Sequence, residues 1–150
     1  TDPSRAIANS LLAHIATSGS VIVYNKTMER GVLKALARQF PEVGDALRQI
    51  SSRIWDLEQV FKKHYRHWQW GTKSSIKNVL PALVPELSYK DLELQEGGMA
   101  SLEWLRMIET DDAKQKAAKA NALKRYCELD TLAMLRLLAV VRNELESEAT

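Results

Sequence analysis

Two short stretches place carboxylates where apolar side chains would pack better. In "RYCELDTLAM", residues 125–134, Tyr126 and Asp130 stand four apart, which on a helix sets a phenol and an acid one above the other. Met134 and Leu137 share that face, so Asp130 lies on the side a helix should bury. A buried acid is costly unless it is paired, hydrogen-bonded or metal-bound. In "VIVYNKTME", residues 21–29, Glu29 falls in the first turn of a helix that follows a β-branched run. It shares a face with Leu33, Leu36 and Phe40. An acid there also favours the helix N-terminal dipole, which is a sufficient structural account of it. The chemistry that would use both acids is divalent-cation binding. Hard cations such as Mg²⁺ or Mn²⁺ prefer oxygen ligands, and two such ions about 4 Å apart clamp the attacking and leaving oxygens in phosphodiester hydrolysis.

A second candidate group is basic and aromatic. Between Phe61 and Leu80 stand Lys62, Lys63, Arg66, Lys73 and Lys77, with no acid among them. Cations in such a run can neutralise phosphates. Tyr65, Trp68 and Trp70 can stack on unpaired bases, or the tryptophans can simply pack into a core beneath a solvated loop. His64 and His67 are three apart, but a structural zinc needs about four ligands and the lone Cys127 is remote in sequence. Cys127 reads as a core filler in the stripe Leu123, Cys127, Met134, Leu137, Leu138 and Val141.

The elements that must position these residues are mostly helical. "TDPSRAIANSLLAHIATSGS" reads as a helix capped by Asp2, entered at Pro3 and stopped by Gly19. "VIVY" at 21–24 has the continuous apolar pattern of a strand buried on both faces. Asn25 begins a helix to about Phe40, a short helix covers 42–51, and "RIWDL" at 53–57 is a candidate strand. "HYRHWQWGTKSS" breaks the pattern as a loop or short edge strand. Ser74 or Ser75 starts a helix that ends near Pro81 or Pro85, and residues 88–94 are turn-like. "GG" at 97–98 opens a helix to about Ile108, and Asp111 or Asp112 caps a long last helix to about Glu146. With no repeat and no linker, 1–150 reads as a single domain.

Composition narrows the classes further. The chain has 150 residues, 45% of them hydrophobic and 27% charged, with a net charge of +2. That is an ordinary globular balance. A single cysteine gives no disulfide framework and suits a reducing cytoplasm. No apolar run is long enough to span a bilayer.

Taken together, "SVIVYNKTME", "SSIKNVLPALVPELSYKDL" and "RYCELDTLAM" resemble motifs of the DnaQ-like 3′–5′ exonucleases, an RNase H-type fold. More closely, they look like a bacterial family of unknown function placed in that superfamily, often found behind a RecB-type nuclease region of the same polypeptide. The resemblance runs from about Ala6 to Val141. It implies that Asp130 and Glu29 are metal-binding carboxylates, that Tyr126 orients the attacking water, and that Asn25 fixes the strand-to-helix turn near substrate. It nominates Ser75 and Lys77, with Lys73 and Arg66 from the basic run, as substrate contacts. Glu29 departs from the Asp usual in the superfamily.

A larger departure is the first acidic motif, Asp-x-Glu on a first strand. Asp2 is the only acid before Tyr24, while Asp56-Leu57-Glu58 and Asp91-Leu92-Glu93 come too late in the chain. Asp56 follows a candidate strand and could reach a cleft, or could serve as a cap. A lone buried strand also needs neighbours. The expectation is therefore a helix-rich α/β chain, an RNase H-like exonuclease fold truncated at its N-terminus with its first strands missing. Its parent would cut DNA or RNA from an accessible 3′ end with a two-ion Mg²⁺ or Mn²⁺ site left incomplete here, so the isolated chain is expected to be inactive. The alternative is a non-catalytic module that holds nucleic acid or a protein.

Overall fold

A computed structural model describes residues 2–90, 92–94 and 97–148. They are largely helical, with one small parallel sheet. The order is α1 (Ser4–His14), β1 (Val21–Val23), α2 (Lys26–Gln39), α3 (Gly44–Ser52), β2 (Ile54–Asp56), α4 (Ile76–Leu83), α5 (Gly97–Glu109) and α6 (Ala113–Glu148). None of these helices is long and apolar enough to cross a membrane. The chain divides into two compact units, Thr1–Arg66 and His67–Thr150.

In the first unit Asp2 caps α1, its Oδ1 accepting the Ser4 N–H at 2.9 Å. The helix stops at His14, earlier than the Gly19 boundary expected. The segment that follows is held by Arg53, whose guanidinium donates to the carbonyls of Ala16 (2.6 Å) and Gly19 (2.7 Å). β1 lies parallel to β2 in the register Val21↔Ile54, Ile22↔Trp55, Val23↔Asp56. The expectation that "VIVY" is buried on both faces is corrected here. Val21 and Ile22 are half-buried, because the described sheet has two strands. A pair this short is not stable by itself. Val23 and Ile54 are instead buried among Ala8, Leu33, Leu36, Leu47 and Ile50, supplied by α1, α2 and α3. Gly44 lets α3 approach α2 closely, since a Cβ there would come within 3.0 Å of the Ala37 carbonyl. The unit ends in a wide turn at Val60–His64, closed by Tyr65 N–H to Val60 O at 2.8 Å. Phe61 is buried there, its ring stacked on Tyr24.

The second unit is helical. Ser75 starts α4, its carbonyl accepting the N–H groups of Asn78 and Val79 at 2.9 and 3.1 Å. Asp112 caps α6 by accepting the N–H groups of Lys114 and Gln115 at 2.8 and 3.1 Å. Glu103 of α5 binds Lys119 of α6 at 2.5 Å. Of the stripe expected on α6, Leu137 is buried and Leu123, Met134, Leu138 and Val141 are half-buried, whereas Cys127 is exposed; Tyr126 and Ala133 are buried as well. Ala133 has no accessible surface, and a side chain that small lets α6 pack closely along its row. Asp91 lies outside the described residues.

Candidate functional site

Each unit holds a polar cluster. In the first, Asn25 adopts a left-handed conformation at φ 75°, which asparagine tolerates better than most residues. That turns its N–H onto Asp56 Oδ1 at 3.0 Å. The same oxygen accepts the Glu58 N–H at 3.1 Å. Asp56 is buried and ties the β1–α2 turn to the end of β2. Among the alternatives its sequence position left open, the cap is the one realised. Tyr24 stands beside it, its hydroxyl pushed above its ordinary range by burial and then by the charges of Glu58 and Asp56.

Glu29 turns from that cluster toward an apolar cavity of about 310 Å³, lined by residues of α1, β1, α2, α3 and β2. Its Oε2 is sealed from solvent without a hydrogen-bond partner among the described residues. Burial, and secondarily Asp56, raises its carboxyl above the usual carboxylate range.

In the second unit Asp130 Oδ1 accepts the Tyr89 hydroxyl at 2.6 Å. Tyr89 and Tyr126 are both buried, with ring centroids 6.1 Å apart. The Lys77 ammonium lies over both rings, 5.6 Å from Tyr89 and 5.8 Å from Tyr126. The acid on the apolar face is thus satisfied by a phenol, in a cluster built by α4, the segment after it and α6. Tyr89 escaped the sequence reading because its partner is 41 positions away. The only local signal was a tyrosine in a turn-like stretch.

The basic segment is divided. Lys62, Lys63 and Arg66 belong to the first unit; Lys73, Ser75 and Lys77 belong to the second. In the second unit His67 stacks on Trp70 at 5.0 Å and on Trp68 at 5.8 Å. Trp70 is 5% exposed and Trp68 84% exposed, so this aromatic group runs from the core out to solvent. Ser75 Oγ accepts Asn78 Nδ2 at 2.8 Å.

Divalent-metal binding demands several converging carboxylates. Among the described residues no three His, Cys, Asp or Glu side chains stand close enough to hold an ion. Glu29 faces aliphatic walls, and Asp130 is occupied by Tyr89. These residues by themselves do not fit a two-ion site.

Comparison with known proteins corrects the expected kinship. No DnaQ-like or RNase H-like family matches; the match, over residues 1–75, is to DUF2779, a domain of unknown function. The motif Tyr-x-x-x-Asp was a poor discriminator because any helix that packs a tyrosine one turn from an acid produces it. No solved structure matches the chain. Two curated proteins are similar to it. "Uncharacterized protein MG366 homolog" of Mycoplasma pneumoniae is 28% identical over 93% of this chain and 23% of its own length. "Uncharacterized protein MG366" of Mycoplasma genitalium is 24% identical over the same shares. The chain thus spans about a quarter of the relatives it matches. The family match covers half of its residues, and the chain belongs to the DUF2779 family.

Proposed function

We propose that this chain is a binding module for single-stranded nucleic acid and does not itself hydrolyse it. The observation that supports this most is the aromatic group of the second unit. Trp68 is almost fully exposed and rests on His67, which also stacks on the buried Trp70. Exposing an indole is unfavourable in water, and it offers a flat face on which an unpaired base can stack whatever its sequence. Lys73 and Lys77 follow in the same unit, the second steadied over two tyrosine rings. They would meet phosphates.

A labelled oligothymidine titrated at low and moderate salt tests the reading, with a duplex of equal length as comparison. The single strand binds and the duplex binds more weakly. Trp68→Ala weakens binding by about 1–3 kcal/mol, and Lys77→Ala lowers the salt slope by about 0.7. Equal binding of wild type and Trp68→Ala would remove the proposal.

A second reading is favoured by Asp130, an acid held in place by the Tyr89 hydroxyl at 2.6 Å, with the Tyr126 ring beside that of Tyr89. In it, a longer polypeptide completes a Mg²⁺- or Mn²⁺-dependent nuclease acting on DNA or RNA. A protein of the relatives' length that degrades a strand from its 3′ end with Mn²⁺, and loses this on Asp130→Ala, would replace the first reading with the second.

A further inference from the structure

The sheet of the first unit is unfinished along one side. Val21 donates its N–H to Arg53 O at 2.9 Å, and Val23 O accepts the Leu57 N–H at 2.8 Å. Those residues therefore point their backbone groups at β2. Alternation along a strand turns the N–H and C=O of Ile22 to the opposite side, where no strand runs among the described residues. On the inner face of β1 lies the cavity of about 310 Å³, walled by Ile7, Leu11, Val21, Val23, Met28 and Val32 among others. Met28 is 69% exposed and Val32 48%. Among the described residues Glu29 is the one charged side chain in that wall, and its Oε2 is sealed off without a partner among them.

The three features ask for different things. The edge needs backbone donors and acceptors, the cavity needs apolar side chains, and Glu29 needs a donor, best a cation. A small apolar molecule supplies only the second, and a nucleic acid does not supply the second at all. An extended polypeptide supplies all three, because alternate side chains point to one face and an open edge templates another strand.

We infer that the free edge of β1 seats a further β-strand of a longer polypeptide, with apolar residues and one Lys or Arg on its inward face, the cation meeting Glu29. The matched relatives have the chain to provide it, since these residues correspond to 23% of their length.

The test joins the strand "TVTKTVT", whose Val, Lys and Val share one face, to the full 150-residue chain through a long Gly-Ser linker. Tethering supplies an effective concentration in the millimolar range. Amide hydrogen exchange then reads both the Ile22 amide and the added strand. Both slow by about tenfold or more. Ile22→Pro removes an N–H that faces the free edge, not β2, as edge positions permit. It leaves the Val23 amide protected, which reports an intact β1–β2 pair, and returns the added strand to rapid exchange. Replacing the added Lys by Val weakens protection in the wild type and restores it in Glu29→Leu. An added strand that exchanges at the rate of an unstructured peptide overturns the inference. So does protection of Ile22 that grows with protein concentration without any added strand, because the occupant would then be a second copy.

Discussion

At the scale of single residues, the two acids that first drew notice have opposite fates. Asp130 has a donor and Glu29 Oε2 has none among the described residues. Removing the donor from Asp130 isolates an acid on the inner face of α6, so Tyr89→Phe should cost about 1.5–3 kcal/mol in urea unfolding. Glu29 should behave differently. Its carboxyl is raised above its ordinary value of 4.5, by burial first and Asp56 second, so the fold favours its protonated form. That contribution is fully present below pH 4.5 and is lost as pH rises through the higher folded value. Asp2, Glu42, Glu103 and Asp112 are shifted downward and pull the whole chain's stability the other way. The informative quantity is therefore the difference between wild type and Glu29→Gln. The Gln variant should melt higher at pH 7, and that advantage should shrink toward pH 4.5. An advantage that is constant with pH would show that burial does not raise the Glu29 carboxyl. The sequence revealed both acids as misfits but not their partners, because a partner is set by packing and not by spacing along one helix.

At the scale of elements, the joint between β1 and α2 is the most exacting piece of local structure. Asn25 at φ 75° and the buried Asp56 form one device, the first presenting an N–H and the second accepting it together with that of Glu58. Asp56→Ala leaves both amides without that acceptor and should destabilise the chain by roughly 2–4 kcal/mol. Asp56→Asn keeps an acceptor oxygen and should lose less. Asn25→Gly should be nearly neutral, whereas Asn25→Val should cost about 1–2 kcal/mol because a β-branched residue resists left-handed backbone. Chemical denaturation of the four variants beside wild type checks the order; a Val variant as stable as the Gly one would refute the device. The elements themselves were mostly legible. The strand near "RIWDL", the caps at Asp2 and Asp112 and the starts of α4 and α5 follow from β-branched runs, capping side chains and glycine pairs. In the stripe read on α6, Cys127 alone is exposed. Cys127 is as apolar as a buried position should be, and only the neighbouring helices decide that the closely packed row runs through Ala133. The full burial expected for "VIVY" failed for a related reason: hydrophobicity says how much contact a strand can use, not how much the described chain provides.

At the scale of the whole molecule, apolar surface remains in both units. In the first it surrounds the cavity beside β1. In the second, α5 turns outward Met99, Leu102, Trp104, Leu105 and Ile108, each at least 40% exposed. Met99, Leu102, Leu105 and Ile108 follow at intervals of three, so each stands beside the next in a row that winds along the helix. Monomers rarely expose contiguous apolar patches beyond a few hundred Å². The isolated chain should therefore self-associate as its concentration rises, through this row of α5 more than through its charged surfaces. Raising salt should not dissolve the assembly, since screening weakens ion pairs and leaves apolar contact intact. Replacing Leu102 and Leu105 together by Lys should return the chain to monomer in sedimentation velocity, with little change in melting temperature because neither side chain is buried. Ile22→Pro, acting at the edge of β1, should leave that association unchanged. If the Ile22→Pro chain is the one that becomes monomeric, self-association runs through the open strand edge, and the apolar row of α5 is not what draws copies of the chain together.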